Sequence, residues 1–86
     1  MNELARTPKQ IGNLIHRLRK RQALSQNELA EKTGLRQATI SLIETGNPGV
    51  RLDTLLTVLS ALDLEFQIAP RSKGSAQEME NLFGGA

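Results

Sequence analysis

The stretch that most narrows what this chain can fold into is "LSQNELAEKTG", residues 24–34. Ser25 stands three residues before Glu28, the spacing of a capping box, in which the hydroxyl takes an open helix amide and the carboxylate reaches back to the cap amide. Leu24 and Leu29 flank the box and can staple across it. Gly34 ends the run, because glycine adopts positive φ at no steric cost and lets a helix stop in a sharp turn. The result is a helix of about two and a half turns whose exit is aimed directly into the next element.

The neighbouring segments share its period. Ile11, Leu14, Ile15 and Leu18 recur at i, i+3, i+4 and i+7 behind Thr7 and Pro8, with proline at the first helical position. In "LRQATISLIETG", Leu35, Ile40 and Ile43 are spaced to face inward and Gly46 closes the helix. "NPGV" is a loop, and a fourth helix through "LDTLLTVLSALD" offers Leu52, Leu55, Leu56, Leu59 and Leu62 as a wide apolar face, with Asp53 well placed in its first turn. Tryptophan and tyrosine are absent and only Phe66 and Phe83 are aromatic, so aliphatic side chains must fill the core. Eighty-six residues allow one such core. The expected fold is all-α, a compact domain of four to five helices.

After Asp63 the period drops to two. Leu64, Phe66 and Ile68 alternate with Glu65, Gln67 and Ala69, the pattern of a half-buried strand. A lone strand cannot satisfy its own backbone, so the same strand of a second copy is the expected partner, giving a homodimer. An extended segment lying on the helices of its own chain is the alternative. The folded unit so defined covers residues 1–69. Residues 70–86 are a polar, glycine-rich tail, expected to be disordered in isolation. Met79, Leu82 and Phe83 stand at i, i+3 and i+4 in it, either a small apolar face for a partner or incidental residues of a frayed end.

Several chemistries are excluded. Without cysteine there is no disulfide, thiolate zinc site or thiol nucleophile. The single histidine, His16, lacks the Asp or Cys spacing of a metal site. No glycine-rich phosphate loop and no carboxylate pair in an apolar context is present, so neither an enzyme nor a cofactor or small-molecule site is expected. No run approaches the roughly 18 apolar residues of a membrane span and the start does not read as a secretory signal, which points to a soluble, cytoplasmic protein. Net charge is +2, but His16, Arg17, Arg19, Lys20 and Arg21 crowd into "HRLRKRQ". These cations either complement a helix C-terminus or face phosphates. Glu44 is expected to pair with the first helix.

Two short helices joined through Gly34, the second polar on its outer face, have the layout of a helix-turn-helix, whose second helix enters the major groove of DNA. With Gln26, Ala30, Gly34, Ile40 and Glu44 at their places, "LSQNELAEKTGLRQATISLIETG" resembles the motif of the phage repressor and Cro superfamily, and the likeness continues through "RLDTLLTVLSALDLEF". It covers residues 8–69. Within that superfamily, "RQATISLIE", "LDTLLTVLSALDLEFQI" and the short polar tail are most similar to the HipB antitoxins, which pair with HipA-type kinase toxins and repress their own operon.

The resemblance implies a set of roles. Gln37 would read adenine with its amide, Ala38 would approach a thymine methyl, and Ser41 and Arg36 would reach bases or the backbone. Gln26, Thr39, Thr45, Asn47 and Arg51 would hold phosphates. Arg36 occupies an N-cap where relatives often carry Ser or Thr, and Leu42 stands where many are polar. A dimer would present its recognition helices about 34 Å apart to an inverted-repeat operator in double-stranded DNA. The further partner implied is a HipA-like serine/threonine kinase, with the tail as a candidate contact. A phage-type repressor or restriction-modification controller without a toxin, or a protein-interaction module independent of DNA, would share the same framework.

Overall fold

The computed structural model describes residues 3–71; Met79, Leu82 and Phe83 lie outside them. Among the described residues the chain forms four helices: α1 (Pro8–Arg21), α2 (Gln26–Thr33), α3 (Gln37–Glu44) and α4 (Leu52–Ala61). The starts follow their local signals. The Gln10 amide donates to the Thr7 hydroxyl at 3.1 Å, and Pro8 fills the first turn of α1. Both halves of the capping box form on α2: Glu28 N–H donates to Ser25 Oγ at 3.0 Å, and Ser25 N–H donates to Glu28 Oε1 at 2.8 Å.

All four helices end alike. Ala23, Gly34, Gly46 and Asp63 adopt φ of 58°, 73°, 85° and 60°. The next amide in each case donates back to the last turn: Leu24 to Arg19 O at 3.2 Å, Leu35 to Ala30 O at 3.1 Å, Asn47 to Leu42 O at 3.0 Å and Leu64 to Leu59 O at 2.8 Å. This Schellman pattern satisfies carbonyls that a helix end would otherwise leave open. Leu24, Leu35 and Leu64 then pack on the core, so three of the turns also deliver an apolar side chain inward.

The core comprises Ile15, Leu29, Ala30, Ile40, Ile43, Val58, Leu59 and Leu62. α3 packs on α1 and α2, and α2 on α4. The α1–α3 approach is close enough to involve backbone. A Cβ on Gly12 would stand 2.4 Å from the Ile43 carbonyl oxygen and 2.8 Å from that of Glu44. One turn earlier on α1, Lys9 Cα would lie 2.6 Å from a Cβ on Gly46. Glycine at these two positions therefore lets the C-terminal end of α3 rest on α1. Gln22 Nε2 donates to Leu62 O at 2.8 Å and ties the ends of α1 and α4 together.

One expectation needs revision. On α4, Leu59 and Leu62 are buried and Leu55 partly so, but Leu52 and Leu56 are 64% and 43% exposed, while Val58, outside the expected stripe, is fully buried. The apolar arc is wider than the surface offered by the rest of the chain, and at 3.6 residues per turn Leu52 and Leu56 fall at its uncovered edge. In the single chain, no strand forms at Leu64, Phe66 and Ile68 among the described residues. Leu64 packs on the core, yet Phe66 is 46% exposed and Ile68 fully exposed. A strand requires a ladder that one copy of this segment cannot supply.

Gly12→Ala should lower the thermal midpoint by about 5 °C or more. Overpacking against two carbonyls costs about 1–3 kcal/mol or more and outweighs the roughly 1 kcal/mol gained in helix propensity. Ala23→Gly should raise the midpoint by about 2–6 °C, because relief of the left-handed strain, about 1–2 kcal/mol, exceeds the extra freedom glycine brings to the unfolded chain. Melting curves followed by circular dichroism test both; a higher midpoint for Gly12→Ala would refute the close helix approach.

Candidate nucleic-acid interface

α2, the turn at Gly34 and α3 form the helix-turn-helix. α3 buries Ile40, Ile43 and Glu44, and turns Gln37, Ala38, Leu42 and Thr45 outward, with Ser41 half-buried beside them. Thr39 is also partly buried, on the flank of the helix. Arg36 is the N-cap in extended backbone, and no side-chain hydrogen bond closes that end, as its lack of an oxygen dictates. Of the expected base-reading residues, Gln37, Ala38 and Ser41 thus share one face and Arg36 stands at its entrance.

A charged cluster behind this face determines how it is presented. Glu44, 7% exposed, accepts from Arg19 Nε at 2.6 Å and from Arg19 Nη2 at 3.0 Å. It also accepts from His16 Nδ1 at 2.8 Å and from Gln26 Nε2 at 3.1 Å. Arg19, 5% exposed, gives its remaining arm to Leu24 O at 2.6 Å. An ionised carboxylate only accepts, so the His16 hydrogen sits on Nδ1 and the Gln26 amide must turn its nitrogen to Glu44. Gln26 Oε1 then accepts from Gln37 Nε2. The amide of Gln37 is therefore held in one of its two flips, nitrogen toward Gln26.

The pairing expected for Glu44 is present, but its consequences reach further than the sequence pattern indicated. Arg19 is buried in the cluster and cannot be part of a phosphate-facing patch. Arg17 lies 3.5 Å from Glu3, and Lys20 and Arg21 are exposed at the end of α1. His16 has a structural role that its isolation in sequence did not suggest. Gln26, expected at a phosphate, is bonded to Glu44 and Gln37. The link spans eleven residues across a turn, for which no periodic signal exists.

The remaining candidate phosphate contacts stand at the end of α3, in the loop after it and at the start of α4. The Thr45 hydroxyl bonds back to the carbonyls of Ser41 and Leu42 at 3.0 and 3.1 Å. Asn47 Oδ1 accepts from Gly49 N–H at 2.7 Å and shapes the loop after α3. Arg51, the N-cap of α4, makes a two-pronged pair with Asp53 at 3.1 and 2.9 Å. Both partners are well exposed, so the pair contributes little and can be exchanged for another anion. Among the described residues no group of three or more His, Cys, Asp or Glu could hold a metal ion. No helix there is long and apolar enough to cross a membrane.

Burial pushes the Glu44 carboxyl up, but hydrogen bonds from Arg19, His16 and Gln26, with the Arg19 charge, hold it on balance below its ordinary range. The hydrogen bond to Glu44 raises the Arg19 guanidinium despite its burial. A carboxyl whose folded value is depressed stabilises the fold fully above its unfolded value, about 4.3, and that contribution disappears as pH falls through the folded value. Glu44→Gln should flatten this acid limb and lower stability at neutral pH by about 3–5 kcal/mol, since Arg19 is left buried and uncompensated. Urea midpoints measured from about pH 7 to pH 2 check this; parallel curves for the two proteins would show that the pair does not set the acid limb.

This geometry has known counterparts. A helix-turn-helix family model matches residues 15–68. Antitoxin HipB of Escherichia coli (strain K12) is 31% identical over 74 residues, covering 86% of this chain and 84% of its own. Among solved structures, a HipB variant in a complex with an O2 20mer superposes with a TM-score of 0.75 at 30% identity, covering 80% of this chain and 96% of that one. A HipA-HipB-O2-O3 complex contains a chain that superposes with a TM-score of 0.74 at 31% identity, covering 79% and 96%. The chain belongs to the helix-turn-helix family and, within it, to the HipB-like branch.

Proposed function

We propose that this protein is a sequence-specific DNA-binding repressor of the HipB antitoxin type, acting as a homodimer that represses its own promoter and binds a HipA-like serine/threonine kinase toxin. The observation that carries the DNA-reading part is the outward face of α3, where the Gln37 amide is held in a single orientation beside Ser41 and Thr45. One Nε2 hydrogen of Gln37 goes to Gln26. The second can donate to adenine N7 while Oε1 accepts from adenine N6, so Gln37 can keep its internal bond and still make a bidentate base contact. The side chain is oriented before DNA arrives, which reduces the ordering cost of binding.

Arg36 and Ser41 then contact bases or backbone at either side of Gln37, with Ala38 against a thymine methyl. Thr39, Thr45, Asn47 and Arg51 line the flanks where phosphates pass, and Gln26 adds a phosphate contact through whatever donor capacity Glu44 leaves it. Backbone amides at the open N-terminus of α3 favour the same anions. The exposed apolar side chains of Phe66 and Ile68, following Leu64, support pairing of this segment with a second copy. On this reading residues 1–69 are the DNA-binding and dimerisation unit, and 70–86 are a tail in which Met79, Leu82 and Phe83 are the candidate contacts for the kinase partner. The solved HipB complexes, one with HipA together with O2 and O3, support both partners if O2 and O3 are read as operator duplexes. Repression follows from occupancy of the promoter and involves no catalytic group.

Selection from a random duplex pool at near-physiological salt should return an inverted repeat with an adenine in each half-site. Gln37→Ala should relax that adenine preference, losing about 1–3 kcal/mol of discrimination per half-site. Weak, unselective binding that vanishes on adding salt would leave only phosphate attraction and overturn the repressor reading.

A further inference from the structure

The outward face of α3 consists of two rows. Gln37, Ser41 and Thr45, four residues apart, carry an amide and two hydroxyls. Beside them Ala38 and Leu42, also four apart, are purely apolar. Leu42 is 48% exposed. At 3.6 residues per turn it lies near the middle of the face opposite Ile40, Ile43 and Glu44, unlike Leu52 and Leu56, which sit at the rim of a buried arc. A leucine there can neither donate nor accept a hydrogen bond.

We propose that Leu42 reads the C5 methyl of a pyrimidine in the major groove, with Ala38 forming the adjoining wall of the contact. This rests on α3 entering that groove. The edges that base pairs present there are hydrogen-bonding groups except for the thymine C5 methyl, which 5-methylcytosine duplicates. The polar row is therefore matched to hydrogen-bonding edges and the apolar row to methyl groups. Five residues beyond Gln37, Leu42 is about 7.5 Å further along the helix axis. The methyl it meets falls within about two base pairs of the adenine read by Gln37, given roughly 3.4 Å per pair.

The test uses the inverted repeat selected by the native protein. Each thymine is replaced in turn by deoxyuridine in both half-sites, and each cytosine by 5-methylcytosine, and affinities are measured for the native protein and for Leu42→Ala. One position is expected at which loss of the methyl weakens native binding about three- to fivefold per half-site, the effect of one methyl group, or at which its addition to cytosine strengthens binding similarly. Leu42→Ala should bind the methylated duplex more weakly and lose most of the methyl response at that position alone. A deoxyuridine response assigns thymine as the source and a 5-methylcytosine response assigns the modified base. Identical responses of the two proteins at every position, or no methyl dependence at all, overturn the proposal while leaving the repressor reading intact. Failure of the pool to yield any enriched sequence overturns both. Because Leu42 is outside the core, an unchanged melting curve for Leu42→Ala confirms that binding, not folding, is being compared.

Discussion

The buried pair of Arg19 and Glu44 is the interaction on which the rest of the structure depends. Removing two charges from water is costly, and the attraction offsets that cost only where the geometry is good and the remaining donors are satisfied. Here Arg19 reaches Glu44 with two nitrogens and Leu24 O with a third, and Glu44 is completed by His16 and Gln26. No buried side-chain nitrogen or oxygen among the described residues lacks a partner. The cluster joins the end of α1, the start of α2 and the last turn of α3.

α3 needs that support. Eight residues cannot maintain a helix alone in water, and its N-terminus has no side-chain cap. It is held from the other end, where glycine at positions 12 and 46 brings its last turn against α1. The two devices are mutually dependent: the close backbone approach places Glu44 within reach of Arg19, and the ion pair prevents that end from lifting away. Because Glu44 also directs the Gln26 amide, the same carboxylate that anchors the helix determines the orientation of Gln37 two turns earlier on it. Anchoring and presentation are one network.

The apolar residues left outside the core are not equivalent. Leu52 and Leu56 border the core, and Phe66 and Ile68 follow Leu64 at the end of the helical body, the kind of surface that a second copy of the chain would cover. Leu42 stands apart from them among polar neighbours on α3. This difference of surroundings gives it a different meaning, although all five side chains look alike in a hydropathy profile.

The sequence by itself determined where α1 and α2 begin, where α2 and α3 end, and which face of α3 is outward. Thr7–Pro8, the Ser25–Glu28 box, Gly34 and Gly46 act within three or four residues of themselves, and the inward positions of Ile15, Ile40 and Ile43 follow from local period. Even the tie from Glu44 to the first helix was legible, since an acidic residue near the end of a groove-facing helix has to turn from phosphate. Only the tertiary structure decided which two members of "HRLRKRQ" meet Glu44, that Val58 rather than Leu52 or Leu56 completes the core, and that Gln26 orients Gln37. The first depends on the α1–α3 distance set by backbone contact at Gly12 and Gly46, the others on how α2 meets α4 and α3, and a periodic pattern contains the direction in which a side chain points but not the depth to which its neighbour approaches.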